Sequence, residues 1–258
     1  YTKRKDKEMK LLITTRADET VREWIKLTHP LFRKYASRVG ADFVILDESF
    51  NCHEAASGIG DGLWHFRIMK HYDLHEQYDR ILHLDGDVLL TPNCPNLFEH
   101  VPYDYIGTLH EDVGARKPNR LACMHAAQEK FGFIGWDSGY INTGVFITSK
   151  IHKDIFQKTN GQYFTDWGTD DVHIGYRIKK LGYKVKSLSY QFNHMTMFSE
   201  EWNNFANRFD SHIVHYAGKG VFDESDISEE ALLKHASGTD YQAAKLEQAN
   251  LDYERLYK

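Results

Sequence analysis

Apolar residues in this chain fall into short runs that alternate with stretches of helical spacing. Met9 to Thr14 reads as a first strand. Thr20 and Glu23 then have the spacing of a capping box, and Val21, Trp24, Ile25, Leu31, Phe32 and Tyr35 share one face of the helix it would open. Pro30 lies inside that helix and predicts a break or kink. Asp42 to Leu46 is a second strand, followed by a loop through Gly58, Gly60 and Gly62. From Leu63 to Tyr78 the helical spacing returns, with Trp64, Ile68 and Tyr72 four residues apart, and Ile81 to Leu90 is an apolar strand interrupted by Asp85-Gly86-Asp87.

Further strands are predicted at Tyr105 to Leu109, Tyr140 to Thr148, Tyr183 to Leu188 and His212 to Tyr216, with a long polar, glycine-containing stretch up to Gly139. Asp170 to Leu181 reads as a helix closed by Gly182; Asp226 to Ala236 and Thr239 to Tyr257 read as two more, the last carrying Leu246, Ala249, Tyr253 and Leu256 on one face. Strand, helix, strand, loop, helix, strand implies an α/β fold with a mostly parallel sheet and helical crossovers. The simplest division is a domain over residues 1–220 with a helical extension over 221–258. That extension could pack on the domain, form a homodimer or lead into a further domain.

Composition changes this picture little. With 258 residues, 41% of them hydrophobic, the chain can bury a full core. A net charge of -5 supplies no broad positive field for nucleic acid or an anionic membrane surface. Cys52, Cys94 and Cys123 lack CxxC spacing and an even count, which suits reduced thiols and a cytoplasmic setting. No apolar run nears the ~20 residues that span a bilayer, so a soluble chain is expected. It begins at Tyr1 and not at methionine, compatible with a fragment of a larger protein.

The candidate chemistry centres on Asp85 and Asp87. Two carboxylates at the end of a buried strand are costly unless neutralised, and a divalent cation would do so; capping or an Asx turn is the plainer explanation. His215 ends the apolar run Ile213-Val214, with Gly218 three residues on. It is either a hydrogen-bonded strand end or the nitrogen of an O,O,N ligand set, which favours Mn²⁺ and also admits Mg²⁺. Lys219 could meet a phosphate or stay solvated. Asn142, in Tyr140-Ile141-Asn142-Thr143-Gly144, offers a donor and an acceptor to a sugar hydroxyl or phosphate, or else caps a turn. Asp170 and Asp171 open a helix; N-capping explains one of them. Arg67 and Lys70 could pair with a phosphate or with the carboxylates.

The run from Leu63 through "FRIMKHYDLHEQYDRILHLDGDVLLTPNCPNLFE", then "YINTGVFITS", "GTDDVHIGYRIKKLGYKV" and "HIVHYAGKG", resembles nucleotide-sugar glycosyltransferases of the A-type fold, with glycosyltransferase family 8 the nearest pattern. It extends over about Met9 to Gly220. The resemblance implies a Rossmann-like, mostly parallel central sheet flanked by helices, with Asp85, Asp87 and His215 as ligands of Mn²⁺ gripping the diphosphate of a UDP-sugar. Thr14, Thr15, Arg16 and Asp18 fall at the nucleoside pocket, and Arg67, Gly86, Gly218 and Lys219 belong with the donor. Asn142 falls near the transferred sugar. Two departures stand out: Val221 occupies the place of the family's lysine, and Thr169-Asp170-Asp171 replaces its Asp-Gln pair.

The expected reaction is transfer of a hexose or pentose to a glycan or other hydroxyl acceptor, with retention favoured. Asn142 and an acid of the Asp170–Asp171 pair would orient the sugar. Two alternatives stand beside it. In a phosphohydrolase of the haloacid-dehalogenase type, Asp85 would be a nucleophile. A non-catalytic carbohydrate-binding module could stack sugars on Trp136, Trp167 or Trp202.

Overall fold

In the computed structural model of this chain, residues 9–47, 49, 60–196, 207–218 and 241–258 are described. The apolar runs assemble as two sheets. β1 (Leu11–Arg16), β2 (Ala41–Leu46), β3 (Arg80–Leu84), β5 (Tyr105–His110), β6 (Ile141–Ser149) and β7 (Lys184–Ser187) form a six-stranded sheet in the order β2-β1-β3-β6-β5-β7. Only β6 runs against the others, so the sheet is mostly parallel, as the alternating pattern predicts. All nine residues of β6 are buried, the mark of a strand covered on both faces.

The strand predicted over Ile81 to Leu90 is in fact two. β3 stops at Leu84, the chain turns through Asp85-Gly86-Asp87, and β4 (Val88–Leu90) joins a second sheet with β8 (His194–Met195) and β9 (Ile213–His215) in the order β4-β9-β8. One apolar cluster spans the gap between the sheets, with Leu82, Leu84 and Val145 from the large one and Val88, Leu90 and Ile213 from the small one. The two carboxylates therefore sit at the seam.

Helix α1 (Arg22–Val39) continues past Pro30, so of the expected break or kink the break does not occur. Pro30 is exposed, while Trp24, Thr28, Leu31, Phe32 and Tyr35 are buried on the other side. Burial of that face outweighs one lost backbone bond. The helix begins one residue later than the expected capping box implies, with Val21 and not Thr20 at the N-cap. The segment read as a helix from Leu63 is instead a 3-10 helix over Gly60–Lys70, leading into the single turn α2 (His71–Leu74).

After α3 (Leu97–His100), the polar stretch contains an unexpected helix, α4 (Lys117–Phe131), started by Pro118 in its first turn. Its buried face includes Arg120 and Gln128 beside Cys123, Met124, Ala127 and Phe131, so it does not read as amphipathic. The Gln128 side chain donates to Trp136 O (2.9 Å) and accepts from Trp136 N (2.8 Å), which folds the following loop back onto the helix. α5 (Thr169–Leu181) and its Gly182 cap appear as predicted. The last helix, α6 (Tyr241–Tyr257), buries Ala249 in a cluster with Trp24, Leu89, Val214 and Tyr216. The helix expected over Asp226 to Ala236 lies outside the described residues.

Candidate active site

At the carboxyl end of β3 the backbone N–H of Asp85 donates to Gly144 O (2.9 Å), which fixes where the acidic turn leaves the sheet. The partner strand β9 brings His215 opposite Val88. Its Nε2 lies 3.3 Å from Asp87 Oδ1 and 3.8 Å from Asp85 Oδ2. His215 Nδ1 donates to Asn193 Oδ1 (2.8 Å), and Asn193 Nδ2 in turn donates to Asn142 Oδ1 (2.8 Å). Those bonds place a proton on Nδ1 and turn Nε2 toward the carboxylates, the nitrogen that a metal would take in place of a proton. One donor atom from each of Asp85, Asp87 and His215 lies within 4.8 Å of the others. Two hard oxygens and a neutral nitrogen suit Mn²⁺ or Mg²⁺.

Space is tight here. A Cβ on Gly144 would run into the His215 ring and come within 3.0 Å of both Asn142 Oδ1 and Asp85 Oδ2. Burial alone would push both carboxyls up. Arg16, with His83 and His215, holds Asp85 well below the usual range, and His215, with Lys245 of α6, lowers Asp87. Both are therefore charged.

Arg16 is the hub of a second layer. It is 3% exposed, donates to Asp85 Oδ1 and to Asp170 Oδ2 (2.6 Å), and reaches His65 O (2.9 Å), with Trp64 lying 4.8 Å beneath its guanidinium carbon. Burial opposes its charge, but Asp85 and Asp170 more than offset that and keep it protonated. Asp170 and Asp171 enter from the start of α5. Gly168 precedes them at φ 91°, where a Cβ would lie 2.7 Å from Tyr140 Oη, and Thr169 takes φ 32°. A threonine held in the left-handed region stores strain beside the acids.

The Thr143 hydroxyl lies 2.9 Å from Asp170 Oδ2 and 2.8 Å from Asp171 Oδ1. The two acids differ in charge. Burial pushes Asp170 up, but Arg16 lowers it further, so it is ionised. Asp171 is raised well above the usual range by burial, by Asp170 and by Glu111. The same pair thus holds a fixed anion beside a carboxyl biased toward its protonated form.

Asn142 is engaged within the protein. Its Oδ1 accepts from Gly144 N (2.9 Å) as well as from Asn193, and its Nδ2 donates to Glu111 Oε1 (2.6 Å). Glu111 is buried and paired with Arg120, whose guanidinium lies between the rings of Tyr140 and Trp167. A continuous polar chain thus runs from His215 through Asn193 and Asn142 to Glu111.

The remaining expected donor residues divide. Thr14 is buried between His71 Nε2 (2.8 Å) and His83 Nδ1 (3.0 Å), and Thr15 is fully buried. Arg67 donates to Ala17 O (3.1 Å) and lies 3.3 Å from Asp18 Oδ2, so these two brace the loop after β1. Lys70 lies 3.9 Å from Asp73 on its own turn. The carbonyl of Gly86 accepts from the Thr28 hydroxyl (2.9 Å). Gly218 follows β9 at φ 59°, whereas Lys219, Val221 and Trp202 lie outside the described residues. Sequence reasoning missed Asn193, Glu111, His65 and Lys245. His65 lies inside the run that carries the resemblance but is unmarked there; the other three reach the site through the tertiary fold.

The fold is that of the A-type glycosyltransferases: a mostly parallel Rossmann-like sheet whose acidic turn meets a histidine from a small second sheet. Among solved structures, the chain is similar to a glycosyltransferase involved in the glycosylation of the major capsid of PBCV-1, at 16% identity and a TM-score of 0.56, covering 94% of this chain and 99% of that one. It is also similar to mouse xyloside xylosyltransferase 1 (11% identity, TM-score 0.51, 83% and 99% covered). A third is the galactosyltransferase LgtC in complex with donor and acceptor sugar analogues (16%, 0.50, 88% and 95%). No protein-family profile matches the chain, and no curated protein matches it in sequence.

Proposed function

We propose that this protein is a metal-dependent glycosyltransferase that moves a hexose or pentose from a UDP-sugar to a hydroxyl of a glycan or another acceptor. The observation that carries the proposal is the Asp85–Asp87–His215 cluster, with His215 Nε2 turned toward both carboxylates, at the carboxyl end of β3 on this fold. Asp85, Asp87 and His215 would hold Mn²⁺ or Mg²⁺, which supplies Lewis-acid stabilisation of a departing diphosphate. The similar xylosyltransferase and galactosyltransferase support a pentose or hexose donor.

Retention of configuration is the outcome we favour. Asp170 is tied to Arg16 and held ionised, which makes it a weak base and a good electrostatic shield for a cationic sugar. Asn142 positions the neighbouring ligands through Gly144 and Asn193, and Asp171 fixes Thr143. Residues 1–220 would form the catalytic domain, with 221–258 as its helical extension. A reducing, cytoplasmic setting suits Cys94 and Cys123, which are buried free thiols.

The test is incubation with Mn²⁺ and a panel of nucleotide sugars, reading nucleotide release, thermal shift and the anomeric configuration of any product by NMR. Nucleotide release with a stabilising shift, both absent in Asp85→Asn and Asp87→Asn, is the expected result. Efficient phosphate-ester hydrolysis with no response to any nucleotide sugar would overturn the proposal in favour of the phosphohydrolase.

A further inference from the structure

Three planar groups lie in succession from the core to the surface beside Asp170 and Asp171. Tyr140 is 1% exposed, and the Arg120 guanidinium carbon lies 4.6 Å from the centre of its ring. That carbon also lies 4.8 Å from the ring of Trp167, yet Trp167 is 58% exposed. Arg120 is buried and paired with the buried carboxylate of Glu111. The indole is therefore backed on one face by a cation that Glu111 holds in place, while most of the residue is open to solvent.

The backbone displays it there. Asp166 O accepts from Thr169 N (3.0 Å), so Trp167 and Gly168 are the two corner residues of a tight turn. Gly168, at φ 91° and ψ -7°, has the left-handed conformation that a type II turn requires at its second corner. Thr169 follows at φ 32°, a strained position of the kind that clusters at ligand clamps, and Asp170 comes next.

Neither Trp64 nor Trp136 offers such a face. Trp136 is 2% exposed and belongs to the core. Trp64 has Arg16 at 4.8 Å and His65 stacked on it at 3.9 Å, so its ring is already in use. Position separates Trp167 from the nucleotide as well. The sheet order puts β1 on one flank of β3 and β6 with β5 on the other. Glu111 follows β5 and Tyr140 leads into β6, so the stack stands on the flank away from Thr14 to Asp18, the residues expected at the nucleoside.

We propose that Trp167 is the floor of the acceptor subsite, stacking on the C–H face of a pyranose ring, which makes the acceptor a carbohydrate. This rests on the glycosyltransferase reading and specifies its acceptor. A pyranose carries hydroxyls around its rim and C–H bonds across its face. A rigid indole matches that face, and the start of α5 brings Asp170 and Asp171 close to the rim.

The experiment is NMR of the full, ¹⁵N-labelled chain with Mg²⁺ and UDP, titrated with the methyl pyranosides of glucose, galactose, mannose and xylose. Wild type, Trp167→Phe and Trp167→Ala are compared. At least one pyranoside should bind the wild type, receive saturation transfer mainly on the protons of one ring face, and move the indole N–H signal that is missing from Trp167→Phe. Trp167→Ala should weaken that pyranoside about tenfold, the scale of one aromatic partner with its burial, and Trp167→Phe less, while UDP affinity stays within about twofold.

The wild-type signals decide even if a variant does not fold. A wild type that binds none of these sugars, or binds one without moving the Trp167 signal, overturns the inference. So does a Trp167→Ala that is less heat-stable with pyranoside affinity unchanged, which is the mark of a purely structural ring. Loss of UDP affinity with pyranoside binding intact would assign the ring to the nucleobase and overturn it too. Stacking at Trp167 with no response to any nucleotide sugar would sink the glycosyltransferase reading and leave the sugar platform standing; nucleotide-sugar turnover with an unmoved Trp167 signal would do the reverse.

Discussion

Acidification should unfold this protein between about pH 6.5 and 4, and buried histidines are the reason. His29, His75, His152, His173 and His194 are each at most 5% exposed. Burial is the main cause that takes each from 6.5 to about 4. Two of them have partners that suit the neutral ring only: His173 Nδ1 accepts from Phe164 N (3.2 Å) while its Nε2 donates to Gln157 O (2.8 Å), and His152 Nδ1 accepts from Ser149 N (3.1 Å). In the unfolded chain these rings bind a proton near the ordinary value; in the folded chain they do not until about 4. The unfolded state therefore holds more protons throughout that window, and stability falls as pH falls.

At about pH 5 the difference is roughly 1.5 pH units per ring, or about 2 kcal/mol each, and five rings together reach about 10 kcal/mol. That matches the whole stability of an ordinary domain, about 5–15 kcal/mol. His71 and His83, also lowered mainly by burial, act in the same direction, whereas His215, held up by Asp87 against burial, and Asp171, raised mainly by burial, act the other way. Asp85, Asp87 and Asp170 are already lowered and begin to titrate only beyond the window. Urea midpoints by circular dichroism at pH 7, 6 and 5 measure the effect; a midpoint that is level from pH 7 to 5 would refute the reasoning.

Three further outcomes follow from particular contacts. Gly144→Ala should fold yet lose Mn²⁺-dependent thermal stabilisation, because the new methyl meets the His215 ring and crowds Asp85 Oδ2; a normal shift in differential scanning fluorimetry would contradict the geometry. Asp252→Ala leaves the buried Arg208 guanidinium without its bidentate partner and should cost about 3–5 kcal/mol, read from urea unfolding, and a cost below ~1 kcal/mol would mean that α6 is not clamped. Gly168→Ala forces a side chain against Tyr140 Oη at a left-handed position and should displace the start of α5. Nucleotide release should then fall more than stability does; equal losses would show that the strained turn has no part in placing Asp170.

What the chain discloses on paper depends on how far apart the cooperating residues lie. β1, β3, β6 and α5 are legible because Ile81-Leu82, Val145-Phe146-Ile147 and Val172-Ile174-Ile178 bury contiguous or periodic apolar residues. Helix α4 is hidden because Arg120 and Gln128 turn inward to serve Glu111 and Trp136, which gives a buried face a polar spelling. The small sheet escapes notice because β4 has three residues and β8 two, too few for a period. Asp85, Asp87 and His215 can be picked out from apolar runs that end in a ligand type. Asn193 and Lys245 cannot, since nothing local distinguishes them from a solvated side chain until β8, β9 and α6 close around the seam.

That seam gives the site a mechanical meaning. Asp85 leaves the large sheet, while Asp87 and His215 belong to the pairing of β4 with β9 in the small one. A cation held by all three would be a rivet between layers otherwise joined by apolar packing and the Asn193–Asn142 hydrogen bond. Cation and diphosphate together should slow amide hydrogen exchange in β9 and in the face of α6 pinned to Tyr216, and leave β2, at the remote edge, exchanging at its former rate.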